Sequence, residues 1–252
     1  MLTRARLWFA AALVALSAWP LHAQELVVSA AASLNNAFQA LGADYERSHP
    51  GQKVIFNFAA SGVLLAQIRQ GAPVDVLACA DEATMDRAVS AGLIAEGTRA
   101  VFARNVLVVA VPAARAAAPP ADLRALAGSA FKRIATGTPA TVPAGHYTAQ
   151  ALQQAGLSAA LAPKWIFGES VRQVLNYIAR GEVDAGFVYR TDALLAPEQT
   201  RIAFTVPMTD TVRYPMALTA ASRQQKVAQA FIAHVRSPQG QAVLRRFGFE
   251  AP

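Results

Sequence analysis

The 252-residue chain holds a single cysteine, Cys79, so neither an internal disulfide nor a cysteine-rich metal cluster can organise it. Charge is sparse as well, with Asp, Glu, Lys and Arg together at only 15%. The basic residues, among them Arg69, Arg87, Arg104 and Arg124, are scattered, with no dense stripe and no interleaved aromatics, which speaks against nucleic-acid binding. There is no Walker A loop, no strand-linked G-x-G-x-x-G, no H-E-x-x-H, no C-x-x-C and no G-x-S-x-G, so the usual nucleotide, metalloprotease and hydrolase signatures are missing. The histidines His22, His49, His146 and His234 stand alone, each more in keeping with a surface or core residue than with a ligand. What the chain does have is hydrophobic content, at 54%. That excludes a disordered or collagen-like chain and suffices for one large domain or two lobes.

Residues 1–23 read as a secretory signal. Arg4 and Arg6 precede the apolar run Leu7 to Trp19, then come a helix-breaking Pro20 and a small Ala23, after which cleavage is expected. The run is roughly 13 residues, short of the ~20 needed to span a bilayer. No cysteine closely follows it, which argues against a lipid anchor. Loss of Arg4 and Arg6 lowers the formal charge from +7 to about +5, a mildly positive field that favours a small anion as ligand.

Beyond the signal, β-type runs alternate with helical periodicity, the pattern of an α/β protein with mainly parallel sheets. Strands are expected at Leu26–Ser29, Val54–Phe58, Val74–Ala78, Val106–Val111, Arg133–Thr136, Trp165–Phe167, Ala185–Tyr189 and Ile202–Val206. Leu34, Phe38, Leu41 and Tyr45 recur at helical spacing, as do Val171, Val174, Leu175 and Ile178, which stop at a C-capping Gly181. Pro112 to Pro120 reads as a surface loop, and a helical pair, Ser222–Arg236 and Pro238–Phe247, closes the chain.

A strand running into a small polar residue that opens a helix recurs four times. Ser33 does so in VVSAAASLNNAF, Ser61 and Gly62 in FNFAASGVLLAQI, Pro143 to Gly145 in ATVPAGHYTAQAL, and Ser170 in GESVRQVLNYI. A helix N-terminus carries unpaired N–H groups and about half a positive charge. Several aimed at one point hold an anion without Lys or Arg, and serine hydroxyls add donors of adjustable direction. Taken singly, each such serine is an ordinary N-cap.

Taken together, AAASL, FAASGVL, GAPVDVLACAD, VPAGHYTAQAL, ESVRQVL and GEVDAGFVYRTDA resemble, in order, the motifs of the periplasmic molybdate-binding proteins of ABC transporters. The likeness runs from Glu25 to about Tyr214. It implies a two-lobed type II binding-protein fold, each lobe a mainly parallel sheet flanked by helices, with the ligand in the cleft. The lobes are expected at residues 24–103 with 216–252 and at residues 104–215. Carried over motif by motif, the resemblance implies that Ser33 and Ser61 give hydroxyl and amide donors, Ala144 and Val171 give backbone N–H groups, and Tyr189 gives its phenol. Molybdenum would then be held as molybdate through Ser33, Ser61, Ala144, Val171 and Tyr189, with no separate cofactor. The resemblance makes Arg172 a bracing or surface residue. Cys79, where the family commonly has a small serine, reads as a buried apolar filler.

The expected function is capture of molybdate or tungstate in the periplasm by a monomer that delivers it to an inner-membrane permease with a cytoplasmic ATPase. A sulfate receptor is the nearest alternative. Phosphate is disfavoured because its remaining proton calls for an acceptor carboxylate. A ferric-ion receptor would want converging tyrosines or carboxylates. A hydrolase using Ser33 or Ser61 would need a base, and only His146 lies near these segments in sequence.

Overall fold

The computed structural model describes residues 24–115 and 118–252. The signal read at residues 1–23, including its cleavage point, lies outside the described residues. Among the described residues, ten strands form two five-stranded sheets, and each sheet organises a lobe.

In the first sheet the order is β2 (Gln52–Ala59), β1 (Gln24–Ala31), β3 (Val76–Ala78), β10 (Val212–Leu218) and β4 (Ala100–Asn105). The second is β7 (Trp165–Gly168), β6 (Ile134–Gly137), β8 (Ala185–Tyr189), β5 (Leu107–Pro112) and β9 (Thr200–Thr205). Both are evenly mixed rather than mainly parallel, because β10 in one and β5 in the other enter from the opposite lobe and pair antiparallel with both neighbours.

The chain crosses between sheets at Val106 and again between Thr205 and Val212. Arg104, Asn105 and Val212 to Pro215, assigned to the second lobe from sequence, therefore pair within the first sheet. The strands β4 and β10 were not expected at all. β10 carries Pro215 in a central strand, a residue that argues against such a position. Its cost is absorbed by a register shift between Tyr214 and Pro215, while the Pro215 carbonyl still accepts from Cys79 N–H at 2.9 Å.

Helices α1 (Asn35–Ser48), α2 (Ser61–Arg69), α3 (Glu82–Ser90), α8 (Gln225–Arg236) and α9 (Pro238–Arg246) cover the first sheet. Phe38 and Tyr45 of α1 meet Phe231 of α8 edge-on, with centroids 6.2 and 5.3 Å apart. On the other face, Leu64, Leu65 and Ile68 of α2 and Met85 of α3 enclose Leu77 and Cys79. Cys79 is fully buried there, and burial pushes its thiol pKa up, so it packs as an apolar side chain.

The second sheet is covered by α4 (Pro143–Gln154), α5 (Ser158–Leu161), α6 (Val171–Ala179) and α7 (Arg190–Ala193). In α6 the buried face is Val171, Val174, Leu175 and Ile178, as the periodicity predicts. Its ends follow the sequence too. Ser170 Oγ accepts from Gln173 N–H at 3.2 Å, and Gly181, just past the last turn, takes the left-handed φ of +68° that glycine tolerates.

Candidate functional site

Each of the four helix-opening segments faces the boundary between the lobes. In the first lobe, Ser33 sits in a single 3-10 turn (Ala32–Leu34) that carries β1 into α1, and Ser61 is the first residue of α2. From the second lobe come Ala144, second in α4 behind Pro143, and Val171, first in α6. Tyr189 ends β8. All five are at most 5% exposed, so a ligand held by them must enter through parted lobes.

Cross-lobe contacts hold the segments together. Gly62 N–H, at the start of α2, donates to the Thr141 carbonyl just before α4 at 3.0 Å. Arg172, beside Val171, donates to the Ser33 carbonyl at 3.1 Å. Tyr189 Oη lies 3.5 Å from the Ala80 carbonyl, a separation too long to commit its proton.

The hydroxyls are aimed by what they accept. Ser61 Oγ accepts from Ala80 N–H at 3.0 Å, a bond that does not use its own hydrogen. For Ser33 the arrangement is a relay. Asn105 Nδ2 donates to Tyr214 Oη at 3.1 Å, and Tyr214 Oη lies 3.0 Å from Ser33 Oγ. The Asn105 amide is fixed in orientation, because its Oδ1 accepts from Val106 N–H at 2.9 Å while Nδ2 also reaches Thr191 Oγ1 at 2.8 Å. With Asn105 donating to Tyr214 Oη, a Tyr214 proton directed at Ser33 Oγ would leave the Ser33 proton for a ligand, and either oxygen of that pair can be the donor. Each step polarises the next.

Both phenols stay neutral donors. Burial, and secondarily each other's proximity, pushes Tyr189 well above the usual phenol range. Tyr214 is raised likewise, with burial leading, then the charge of Asp192.

Two buried carboxylates border the cleft, and both are committed. Asp81 Oδ1 caps α3 through Thr84 N–H at 3.2 Å, and desolvation raises its pKa. Asp192 is fully buried, with its pKa pushed up to about 6 by desolvation against the opposing pull of Arg172, whose Nε donates to Oδ1 at 2.6 Å. The remaining donors are neutral hydroxyls and helix-end amides, since the first turn of α2, α4 and α6 has N–H groups without an intrahelical acceptor. Among the described residues no group of three or more His, Cys, Asp and Glu is placed to hold a metal ion. The arrangement suits a small anion that brings acceptors and no proton.

Outside this enclosed region an open groove of about 520 Å³ runs along the lobe boundary, lined by Asp81, Glu82, His146, Tyr147, Asp210 and Arg213. His146 is exposed there, and the Ser33 and Ser61 hydroxyls bond to Tyr214 and Ala80 instead.

Sequence reasoning did not single out Tyr214 or Asn105 as site residues. Both sit on β4 and β10, the two unexpected strands. No local motif marks them, because their role arises only where the sheet edge meets the crossing at Val106.

The sequence profile of the bacterial extracellular solute-binding proteins matches residues 26–250. The molybdate-binding protein ModA of Escherichia coli K12 is 35% identical over 230 residues, covering 89% of this chain and 88% of that protein. Among solved structures, the periplasmic molybdate-binding protein of Azotobacter vinelandii superposes with a TM-score of 0.78 at 24% identity, over 90% of this chain and 99% of that one. The sulfate-binding protein SubI of Mycobacterium tuberculosis H37Rv gives 0.80 at 19% identity, over 90% and 87% respectively. At such identities the two structures show the fold alone.

Proposed function

The chain belongs to the bacterial extracellular solute-binding proteins, and from that premise we propose that it captures molybdate, and tungstate with it, between its lobes. Binding, not turnover, is the activity of such a protein. The observation that carries the reading is the donor set. Two serine hydroxyls, one phenol and three helix N-termini lie buried on the elements that border the two lobes, and the nearby Asp192 and Arg172 are paired with each other.

A fully deprotonated tetrahedral dianion satisfies such donors. A protonated phosphate would leave its own O–H facing N–H and O–H groups. Sulfate shares the charge and shape of molybdate but is smaller. Amides fixed at helix ends cannot follow it inward, so every donor distance lengthens together. The 35% identity to a molybdate-binding protein supports the larger anion.

In the mechanism, the open lobes expose the Ser33 and Ser61 donors to solvent. The anion binds there first, and closure then brings Ala144, Val171 and Tyr189 onto its remaining oxygens. Dispersing the anion's charge over several helix dipoles replaces the hydration it loses. The loaded, closed protein is what an inner-membrane permease with a cytoplasmic ATPase would recognise, with the protein itself in the periplasm as a monomer.

Thermal unfolding tests the ligand assignment. A ligand bound only by the folded state adds about 2.7 kcal/mol at a hundredfold excess over Kd. For a chain of this size that raises Tm by roughly 5–10 °C. Micromolar molybdate or tungstate should give that shift, and equal sulfate, phosphate or nitrate little. A larger shift with sulfate would replace the ligand while sparing the fold.

A further inference from the structure

Arg172 makes three side-chain hydrogen bonds at the lobe boundary, and none of them is to a proposed anion donor group. Its guanidinium is divided between the two lobes. Within its own lobe, Nε is held by Asp192 at 2.6 Å, and the Asp192 side chain is fully buried. Across the cleft, Nη1 donates to Asn36 Oδ1 at 2.8 Å, and Nη2 donates to the Ser33 carbonyl at 3.1 Å. The other oxygen of the same carboxylate, Asp192 Oδ2, accepts from Tyr189 N–H at 3.3 Å.

One ion pair therefore ties together the backbones of three residues assigned to the anion. Val171 is the neighbour of Arg172, Ser33 is gripped by its carbonyl, and Tyr189 by its amide. A planar fork with donors on three sides can span these partners, whereas an ammonium cannot. Because Asp192 pairs with Arg172, the pair adds little net charge to draw in an anion. Its effect must come from geometry.

Resting on the oxyanion reading above, we propose that Arg172 is a positioning residue that latches the closed cleft. From the second lobe it fixes the Ser33 carbonyl and the start of α1, and so governs how slowly the captured oxyanion is released.

The two cross-cleft bonds exist only when the lobes are together. They lower the free energy of the closed state without altering the open state that meets the ligand. Removing them should therefore act on dissociation and leave association nearly untouched. Both groups regain water on opening, so the net gain per bond is modest. The two together correspond to about a tenfold change in rate.

The test loads the purified protein with radiolabelled molybdate, chases with excess unlabelled molybdate, and follows retained label, with association measured separately. R172A should release molybdate about tenfold faster, with association within about twofold of wild type. N36A removes one cross-cleft partner from an exposed surface position, so it leaves the buried pair and the fold in place. It should accelerate release by about threefold. R172K keeps the charge but not the fork and should behave like R172A.

Wild-type release rates in both R172A and N36A would overturn the latch. So would slow release retained by R172K, or association slowed with release unchanged, since either would mean that the charge, not the geometry, matters. Failure of the wild type to retain any molybdate would instead reject the oxyanion reading and the latch with it. That outcome is separate from one in which wild type and variants bind alike.

Discussion

Ser33→Ala is expected to weaken molybdate binding by one to two orders of magnitude, and Ser61→Ala to do the same. A hydrogen bond to a charged partner contributes about 1.5–3 kcal/mol, and each 1.4 kcal/mol is a factor of ten in Kd. Each hydroxyl is already oriented by an internal donor, so its ordering cost is met before the ligand arrives. The relay from Asn105 through Tyr214 aims Ser33, and Ala80 N–H aims Ser61. Both variants should also lose stability. Ser61→Ala strands the Ala80 N–H in a buried place, at a cost of about 1–3 kcal/mol, or a Tm lower by several degrees. In Ser33→Ala the buried Tyr214 hydroxyl likewise loses its partner at Ser33 while keeping the bond it accepts from Asn105, so a comparable loss is expected. Calorimetric titration with molybdate and melting of the ligand-free proteins check both halves. Unaltered affinity in both variants would remove these serines from the site.

Gly62→Val is expected to oppose closure rather than folding. A Cβ at Gly62 would stand 2.7 Å from the Thr141 carbonyl oxygen, which is backbone from the opposite lobe and cannot swing aside. The same N–H donates to that carbonyl at 3.0 Å, so glycine is what lets α2 and the segment before α4 touch. With the lobes parted, the valine faces solvent. The overpacking penalty, about 1–3 kcal/mol, therefore falls on the closed state alone and weakens molybdate binding by roughly ten- to a hundredfold. Solution scattering should show the wild type contracting at molybdate just sufficient to saturate it, and the variant contracting only at roughly ten- to a hundredfold higher concentration. Contraction of the variant at the same molybdate concentration as the wild type would mean that the lobes meet elsewhere.

Much of this was legible in the sequence where the signal is local. The amphipathic spacing of Val171 to Ile178, the Ser170 cap and the Gly181 stop are written in consecutive residues, and α6 follows them. The same holds for the apolar runs that become β1, β5 and β8. The strand β10 was not legible, because Pro215 disguises a central strand whose place is secured by a register shift and by neighbours far along the chain. The mixed pairing of the sheets was hidden for a related reason. Whether a strand runs parallel or antiparallel depends on which lobe it enters from, and an apolar run carries no such mark.

The serines and helix openings of the site were visible as a repeated local pattern. Their orienting partners were not. Tyr214 and Asn105 lie 181 and 109 residues from Ser33 and Tyr214 respectively, so only the folded sheet edge joins them into a relay. Arg172 was visible, but its function depends on Asn36 and Ser33 on the other lobe, which no spacing within its own helix announces.

The most direct test of the central claim, that an oxyanion sits between the lobes on hydroxyls and helix ends, is a crystal of the molybdate-loaded protein measured at the molybdenum absorption edge. The anomalous difference map should show one strong peak enclosed by Ser33 Oγ, Ser61 Oγ, Tyr189 Oη and the amides of Ala144 and Val171, with the lobes closed on it. A peak confined to the open groove lined by Asp81, His146 and Arg213, or none in crystals grown from the saturated protein, would contradict it.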